Sequence, residues 1–188
     1  MGYSLNQRGR RTLRVVNKSS TPGIYYVTIC TQENQNFFGT IAQGQMKLNR
    51  DGLVAQEVWD SLSKRFPGVQ SDQSVIMPNH VHALLIIEAT QALIRENHRI
   101  ERMPERFKAY WENQQSQEPE PYCAALGEVM RTFKAATSRQ IHKLGMQRFE
   151  WEPRYYSSIV FDEAKIAELR TYILTNPAHW EEDKLYRP

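Results

Sequence analysis

The chain has 188 residues, a formal net charge of +3, 40% hydrophobic residues and 24% charged residues, a composition typical of a single globular domain. Apolar runs such as residues 83–87 are too short to span a bilayer, and no apolar segment of a secretory signal follows the N-terminal arginines. Because two widely separated cysteines, Cys30 and Cys123, do not form a disulfide framework, we expect a cytoplasmic protein without a membrane partner.

A basic arm precedes the domain, because no acidic residue occurs before Glu33. Its cations are Arg8, Arg10, Arg11, Arg14 and Lys18. Such an arm can attract a phosphate backbone, although many basic tails are only solvated. We therefore divide the chain into a basic arm, residues 1–20, and a single domain, residues 21–188.

The first half of the domain predicts three strands and a helix. Residues 23–31 are rich in β-branched and aromatic side chains and follow a Thr-Pro-Gly turn signal, which indicates a strand. Residues 48–68 predict a helix that ends at Pro-Gly, and residues 69–77 and 80–87 predict a hairpin. The apolar spacing of the helix predicts a buried stripe of Leu53, Val54, Glu57, Val58, Ser61 and Leu62.

Residues 90–121 break the pattern and predict an insertion or an excursion from the domain, because this length is unusual for a simple connection. The segment alternates arginines with glutamates and also contains Phe107, Tyr110 and Trp111. Interleaved cations and rings could contact single-stranded nucleic acid. A solvated helix held by its aromatic side chains is the alternative.

The second half predicts two helices around a short strand. Residues 124–145 have an apolar stripe and end at Gly145, residues 151–161 resemble a strand, and Asp162 is positioned to cap a last helix that Pro177 ends. The order β-α-β-β-α-β-α predicts an α+β fold, a ferredoxin-like antiparallel sheet with helices packed on one face.

Two histidines one residue apart, His80 and His82, interrupt the apolar strand at 80–87. Alternate side chains of a strand share a face, so both imidazoles could bind one divalent metal ion. Histidines in strands also donate to backbone carbonyls or cover the edge of a core. In the last helix, Tyr172 and Asn176 are four residues apart and share a face beside the apolar stripe. These residues could instead serve the edge of that stripe and the helix end.

Five segments resemble the REP-associated tyrosine transposases, which are single-tyrosine HUH transposases related to small insertion-sequence transposases. The segments occur in the family's order and cover about residues 23–180. They are "YYVTICTQENQNFFG", "MPNHVHALL", "LGEVMRTFKAATSRQI", "WEPRYYSSIV" and "YILTNP". The chain departs from the family at Ser157–Ser158, where many members carry an acidic or polar residue followed by a histidine.

The resemblance implies a role for each matched residue. His80 and His82 match the metal-binding histidines, Tyr172 matches the nucleophile, and Asn176 occupies the position of a polar third ligand. Mg²⁺ or Mn²⁺ is the implied metal. The implied partner is single-stranded or hairpin DNA, and relatives of this kind often form homodimers. We add DNA-contacting candidates from the basic arm, the central helix and the "WEPRYYSSIV" segment: Arg8, Arg10, Arg11, Arg14, Arg131, Lys134 and Arg154.

The implied activity is cleavage and rejoining of single-stranded DNA, on hairpin or palindromic repeat DNA, through a 5′-phosphotyrosine. This is the chemistry of transposition and DNA recombination. Tyr155 and Tyr156 are competing nucleophiles, but neither has a polar partner four residues onward on a helix. Two other functions stay open at this point, a nickase that initiates replication or mobilisation and a catalytically idle nucleic-acid-binding domain.

Overall fold

The computed structural model describes residues 22–89 and 124–188. The basic arm and the predicted insertion lie outside the described residues. The strands and helices predicted within these residues occur close to their predicted positions, except that the helix predicted for residues 48–68 is divided into two and is preceded by two short strands that were not predicted as a hairpin. The strands are β1 (Gly23–Cys30), β2 (Gly39–Ala42), β3 (Gln45–Leu48), β4 (Val69–Ile76), β5 (His80–Ile87) and β6 (Tyr156–Val160). The helices are α1 (Arg50–Asp60), α2 (Leu62–Arg65), α3 (Leu126–Lys143) and α4 (Glu163–Thr175).

Four strands form one antiparallel sheet in the order β4-β5-β1-β6, and β2 and β3 form a separate hairpin. The chain order of the four sheet strands and the helices between them gives the ferredoxin-like topology that the sequence predicts. The predicted α+β class with an antiparallel sheet is therefore confirmed. In the register of the two central strands, Thr28 of β1 lies opposite His82 of β5, and Cys30 lies opposite His80.

One face of the sheet carries the main core, which α1 and α3 cover. The core is rich in aromatic side chains, and Trp59 of α1 packs edge-to-face on Phe133 of α3 with ring centroids 5.1 Å apart. At Gly52 in α1, a Cβ atom would lie 2.1 Å from the carbonyl oxygen of Phe38, so the close approach of this helix requires glycine. The predicted stripe of the first helix is partly wrong, because Leu53 is 53% exposed.

The last helix, α4, packs on the opposite face, which corrects the expectation that all helices share one face. Its Ile166 and Ile173 form a small cluster with Leu84 of β5. Leu84 points away from the main core because side chains of a strand alternate between faces, and this gives the sheet a second apolar surface to cover. Asp162 caps α4 as predicted, since its side chain accepts a hydrogen bond from the Ala164 N–H at 3.0 Å.

Among the helices of the described residues, none combines the length and the apolar character that a membrane crossing requires.

Candidate active site

The two histidines point to the same sheet face, the one covered by α4. His80 and His82 are 0% and 4% exposed, and their ring centroids lie 4.4 Å apart. The alternation of β5 explains this placement, because the alternate residues Val81 and Ala83 belong to the main core on the other face. The side-by-side arrangement predicted for the two imidazoles is present in the structure.

Neighbouring polar groups contact one nitrogen of each imidazole. The Nδ1 atom of His80 lies 2.8 Å from the Asn79 carboxamide oxygen. The Nδ1 atom of His82 lies 2.9 Å from the Tyr26 hydroxyl and 2.8 Å from the Thr28 hydroxyl, both on β1. The Tyr26 ring also stacks against the His82 ring with centroids 5.7 Å apart. These contacts orient both rings through their Nδ1 atoms and leave the Nε2 atoms available for other partners.

Tyr172 lies on α4 directly beside His82. Its hydroxyl oxygen is 3.4 Å from His82 Nε2, and the two ring centroids are 5.4 Å apart. The residue is 42% exposed. The phenol therefore has both an environment of buried polar groups and access to solvent, which a nucleophile that attacks a large substrate needs.

Two further polar groups come from the chain beyond Tyr172. Asn176 is 3% exposed and begins a short 3-10 segment, Asn176–Glu182, which leads to Asp183. The Asn176 side-chain amide donates to Asp183 Oδ2 at 3.0 Å. The same oxygen lies 3.4 Å from the Tyr172 hydroxyl and 3.9 Å from His82 Nε2. The side chains of His80, His82 and Asp183 each offer a ligand atom within 4.8 Å of the others, so this cluster could bind a metal ion.

The donor set fits a divalent metal ion. Four buried side-chain polar atoms of the described residues lack a hydrogen-bond partner, and two of them belong to this cluster. They are His80 Nε2 and Asn176 Oδ1, an imidazole nitrogen and an amide oxygen. A buried polar atom without a partner costs about 1–3 kcal/mol, and a bound cation would remove that cost. Two imidazoles with oxygen ligands suit Mn²⁺ and several other divalent metals.

The electrostatics of the cluster favour the protonation states that metal binding requires. Burial lowers the pKa of His80, and the neighbouring His82 lowers it further. Burial also lowers the pKa of His82, and Asp183 opposes that shift. Burial alone would raise the pKa of Asp183, but the nearby His82 imidazole and the hydrogen bonds from the Leu185 N–H and the Asn176 amide outweigh it and hold the pKa low. The histidines are therefore neutral and the carboxylate is ionised near neutral pH.

The same environment works against ionisation of the tyrosine. Burial, and then the negative charge of Asp183, raise the pKa of Tyr172 to about 12. The phenol therefore keeps its proton at neutral pH until a positive charge or a proton acceptor assists its removal.

The two competing tyrosines differ in position. The side chain of Tyr155 packs against the main core, on the sheet face opposite the histidines. Tyr156 is 50% exposed and contacts Tyr26 edge-to-face, with centroids 6.2 Å apart. Tyr156 is thus on the histidine face, and its ring contacts that of Tyr26, which in turn stacks on His82.

The predicted DNA-contacting cations fall in two groups. The four arginines of the arm lie outside the described residues. Arg131 and Lys134 lie on α3, which covers the main core, and Arg154 precedes β6. The Lys134 ammonium donates to the backbone carbonyls of Glu152 and Pro153, while Arg131 and Arg154 are exposed. Lys134 therefore also has a structural role, because it joins α3 to the segment before β6.

Sequence reasoning missed Asp183. The residue follows Pro177 and ends the run Glu181-Glu182-Asp183, in which no local pattern distinguishes one carboxylate from the others. The signal is tertiary, because Trp180 packs on His80 with ring centroids 5.9 Å apart and turns the chain back toward the histidines. Tyr26 and Thr28 were missed because they contact His82 from another strand, and Asn79 was missed although it directly precedes His80.

Comparison with solved structures finds a similar fold in a chain of low sequence identity. A REP-associated tyrosine transposase bound to a REP hairpin superimposes with a TM-score of 0.51 over 90% of this chain and 72% of that chain. The sequence identity is 13%, so the likeness concerns the fold.

The chain belongs to the same family as a protein of Haemophilus influenzae (strain ATCC 51907 / DSM 11121 / KW20 / Rd) described as an uncharacterized protein. The two are 30% identical over 187 residues, which cover 98% of this chain and 97% of the relative. No family model matches the chain.

Proposed function

We propose that this protein is a metal-dependent enzyme that cleaves and rejoins single-stranded DNA through Tyr172. One observation carries the proposal: a half-exposed phenol lies 3.4 Å from a buried imidazole, within a cluster that contains unpartnered ligand atoms. An idle binding domain would have no use for buried ligand atoms that lack partners, because each lowers the stability of the fold.

The metal ligands in this proposal are His80 Nε2, His82 Nε2 and Asn176 Oδ1, with Asp183 Oδ2 close enough to join them. A bound Mg²⁺ or Mn²⁺ would polarise a non-bridging oxygen of the scissile phosphate and stabilise the developing negative charge. The hydrogen bond to Asp183 fixes the orientation of the Asn176 carboxamide, because the nitrogen is the donor. The carboxamide oxygen is therefore available to bind the ion.

Tyr172 supplies the nucleophile. Its hydroxyl oxygen attacks the phosphorus, the bond from phosphorus to the 3′-oxygen breaks, and the 5′-phosphate stays on the tyrosine. The phenolic proton passes to Asp183 Oδ2, the carboxylate oxygen 3.4 Å away, and this carboxyl group then gives the same proton to the leaving 3′-oxygen, which becomes a hydroxyl. Attack of a 3′-hydroxyl on the phosphotyrosine reverses these steps and joins the strands without ATP.

Hairpin DNA is the first substrate to test. The transposase with this fold was solved with a REP hairpin, and the sequence resemblance points to the same substrate class.

The arm cations Arg8, Arg10, Arg11 and Arg14 would contact the phosphate backbone, and the protein could act as a homodimer. Deleting residues 1–14 should weaken hairpin binding and flatten the dependence of log affinity on log salt, because fewer counterions are released. An unchanged slope would show that the arm does not contact the phosphate backbone.

The decisive experiment incubates the full chain with labelled single-stranded hairpins and Mn²⁺, followed by denaturing electrophoresis. We expect a covalent protein–DNA species that EDTA prevents. Tyr172→Phe should abolish this product, because no phosphotyrosine can form without the phenolic oxygen. The stability cost should stay within about 1 kcal/mol, since both contacts of that hydroxyl are long.

Tyr155→Phe and Tyr156→Phe are the matched controls, and both should keep the adduct. Peptide mapping should find the nucleotide on the peptide that contains "TYILTNPAHW". A nucleotide on the "YYSSIV" peptide would contradict the assignment of Tyr172. Hairpin binding without an adduct, for every DNA and metal tested, would instead favour the idle-domain function.

A further inference from the structure

Asn79 is a fully buried amide that immediately precedes His80. Its side-chain nitrogen donates to two backbone carbonyls, that of Asn34 at 2.9 Å and that of Leu185 at 2.8 Å. Both amide hydrogens are therefore used, and this fixes which end of the carboxamide is nitrogen. The oxygen end lies 2.8 Å from His80 Nδ1.

This orientation determines where His80 carries its hydrogen. A carboxamide oxygen can only accept, so His80 Nδ1 must be the donor of the hydrogen bond. A neutral imidazole carries a single ring N–H, and the Nε2 atom therefore keeps its lone pair. That Nε2 atom is the one without a hydrogen-bond partner in the cluster. Asn79 thus presents the nitrogen that a metal ion requires.

The same carboxamide also holds two distant segments of the chain. Glu33 and Asn34 have φ values of 55° and 53°, in the left-handed region that non-glycine residues rarely adopt. Leu185 accepts from Asn79 through its carbonyl and donates from its N–H to Asp183 Oδ1 at 2.7 Å. Hydrogen bonds through one residue, Leu185, therefore link Asn79 to Asp183.

We propose that Asn79 is a positioning residue that fixes the Nδ1–H tautomer of His80 and, through Leu185, the location of Asp183, and thereby sets the affinity for a divalent metal. The inference uses the cluster of the proposed function, but the tautomer of His80 is a property of the metal-free protein and does not depend on DNA cleavage.

The test combines histidine NMR with Mn²⁺ binding on the full chain. In metal-free wild-type protein, the carbon and nitrogen shifts of His80 should be those of the Nδ1–H tautomer. Asn79→Ala should shift His80 toward the Nε2–H tautomer. Loss of such a partner typically weakens metal binding 10–100-fold. We expect a decrease in that range, measured by electron paramagnetic resonance of Mn²⁺.

Two variants serve as controls. Asn36→Ala removes another asparagine that holds the C-terminal segment, through its bond to the Arg187 carbonyl, and should keep both the tautomer and the Mn²⁺ affinity. Asn79→Asp keeps an oxygen that accepts from His80 Nδ1–H. Its second oxygen replaces the amide nitrogen and cannot donate to the carbonyls of Asn34 and Leu185. We expect it to retain the tautomer and to speed hydrogen exchange at the Leu185 amide.

An Nε2–H tautomer in wild-type protein would overturn the proposal, as would a folded Asn79→Ala variant with unchanged Mn²⁺ affinity. If Asn79→Ala does not fold, the wild-type spectrum and the Asn79→Asp variant decide the matter. If the tautomer and Mn²⁺ results hold but no DNA gives an adduct, the proposed function fails and the role of Asn79 stands.

Discussion

The two faces of the four-stranded sheet use alternate residues of the same strands for different purposes. The face under α1 and α3 buries a continuous apolar core with many aromatic rings. The face under α4 has only a small apolar cluster, and beside it lie buried imidazole, amide and carboxylate groups. Because strand side chains alternate, the first face can supply stability while the second holds costly polar groups in place.

The strongest test of this difference removes both histidines. His80→Ala combined with His82→Ala should abolish Mn²⁺ binding and Mn²⁺-dependent DNA cleavage, while the sheet still folds on the core of the other face. The free energy of unfolding should fall by about 1–3 kcal/mol, because two buried side chains are lost. Calorimetry and the adduct assay measure these effects.

The matched control for the histidines is His142→Ala on α3, whose imidazole contacts the Phe149 carbonyl at 2.8 Å. It should leave Mn²⁺ binding unchanged. Full cleavage activity in the double variant would show that the chemistry does not use this face.

The reverse test disturbs the core face. Gly52→Ala would bring a Cβ atom against the Phe38 carbonyl oxygen, and we expect a loss of about 3 kcal/mol in the free energy of unfolding. Gly127→Ala on α3 is the control, because its Cβ would have only an ordinary contact at 3.8 Å with the Tyr155 hydroxyl. Denaturant unfolding measures both. Mn²⁺ affinity should be the same in both folded variants, and a large change in Gly52→Ala would mean that the faces are coupled.

A smaller effect is expected where only one contact to a ligand is removed. Tyr26→Phe deletes one of the two hydroxyls beside His82 Nδ1 and leaves that of Thr28. Mn²⁺ affinity should fall about tenfold, the lower end for loss of a partner to a metal ligand. Isothermal titration calorimetry measures the change. Tyr155→Phe, on the core face, should bind Mn²⁺ like the wild type, and an equal loss in both variants would contradict the assigned contact.

The smallest effect concerns the N-terminus of α4. Asp162→Ala removes the side-chain oxygen that accepts from the Ala164 N–H and should cost about 1 kcal/mol in thermal unfolding. Asp162→Asn keeps an accepting oxygen and should restore most of that loss. If neither variant changes the melting temperature, this cap contributes little to the stability of the fold.

Local sequence patterns determined those parts of the protein that depend on neighbours in the chain. The alternation of β5 placed His80 and His82 on one face, and the four-residue spacing on α4 placed Tyr172 one turn from Asn176. The helix cap at Asp162 was also predictable, because it depends on a hydrogen bond between residues two positions apart. These predictions succeeded because backbone geometry relates residues a few positions apart in a fixed way.

Only the tertiary structure decided which distant groups complete the site. Asp183 reaches His82 because Trp180 packs on His80, and Asn79 contacts the Leu185 carbonyl from the far end of the chain. The buried stripe of α1 likewise depends on what the helix packs against, and Leu53 is exposed although its spacing is helical. Such contacts follow from how whole elements pack, and periodicity within a single element carries no information about them.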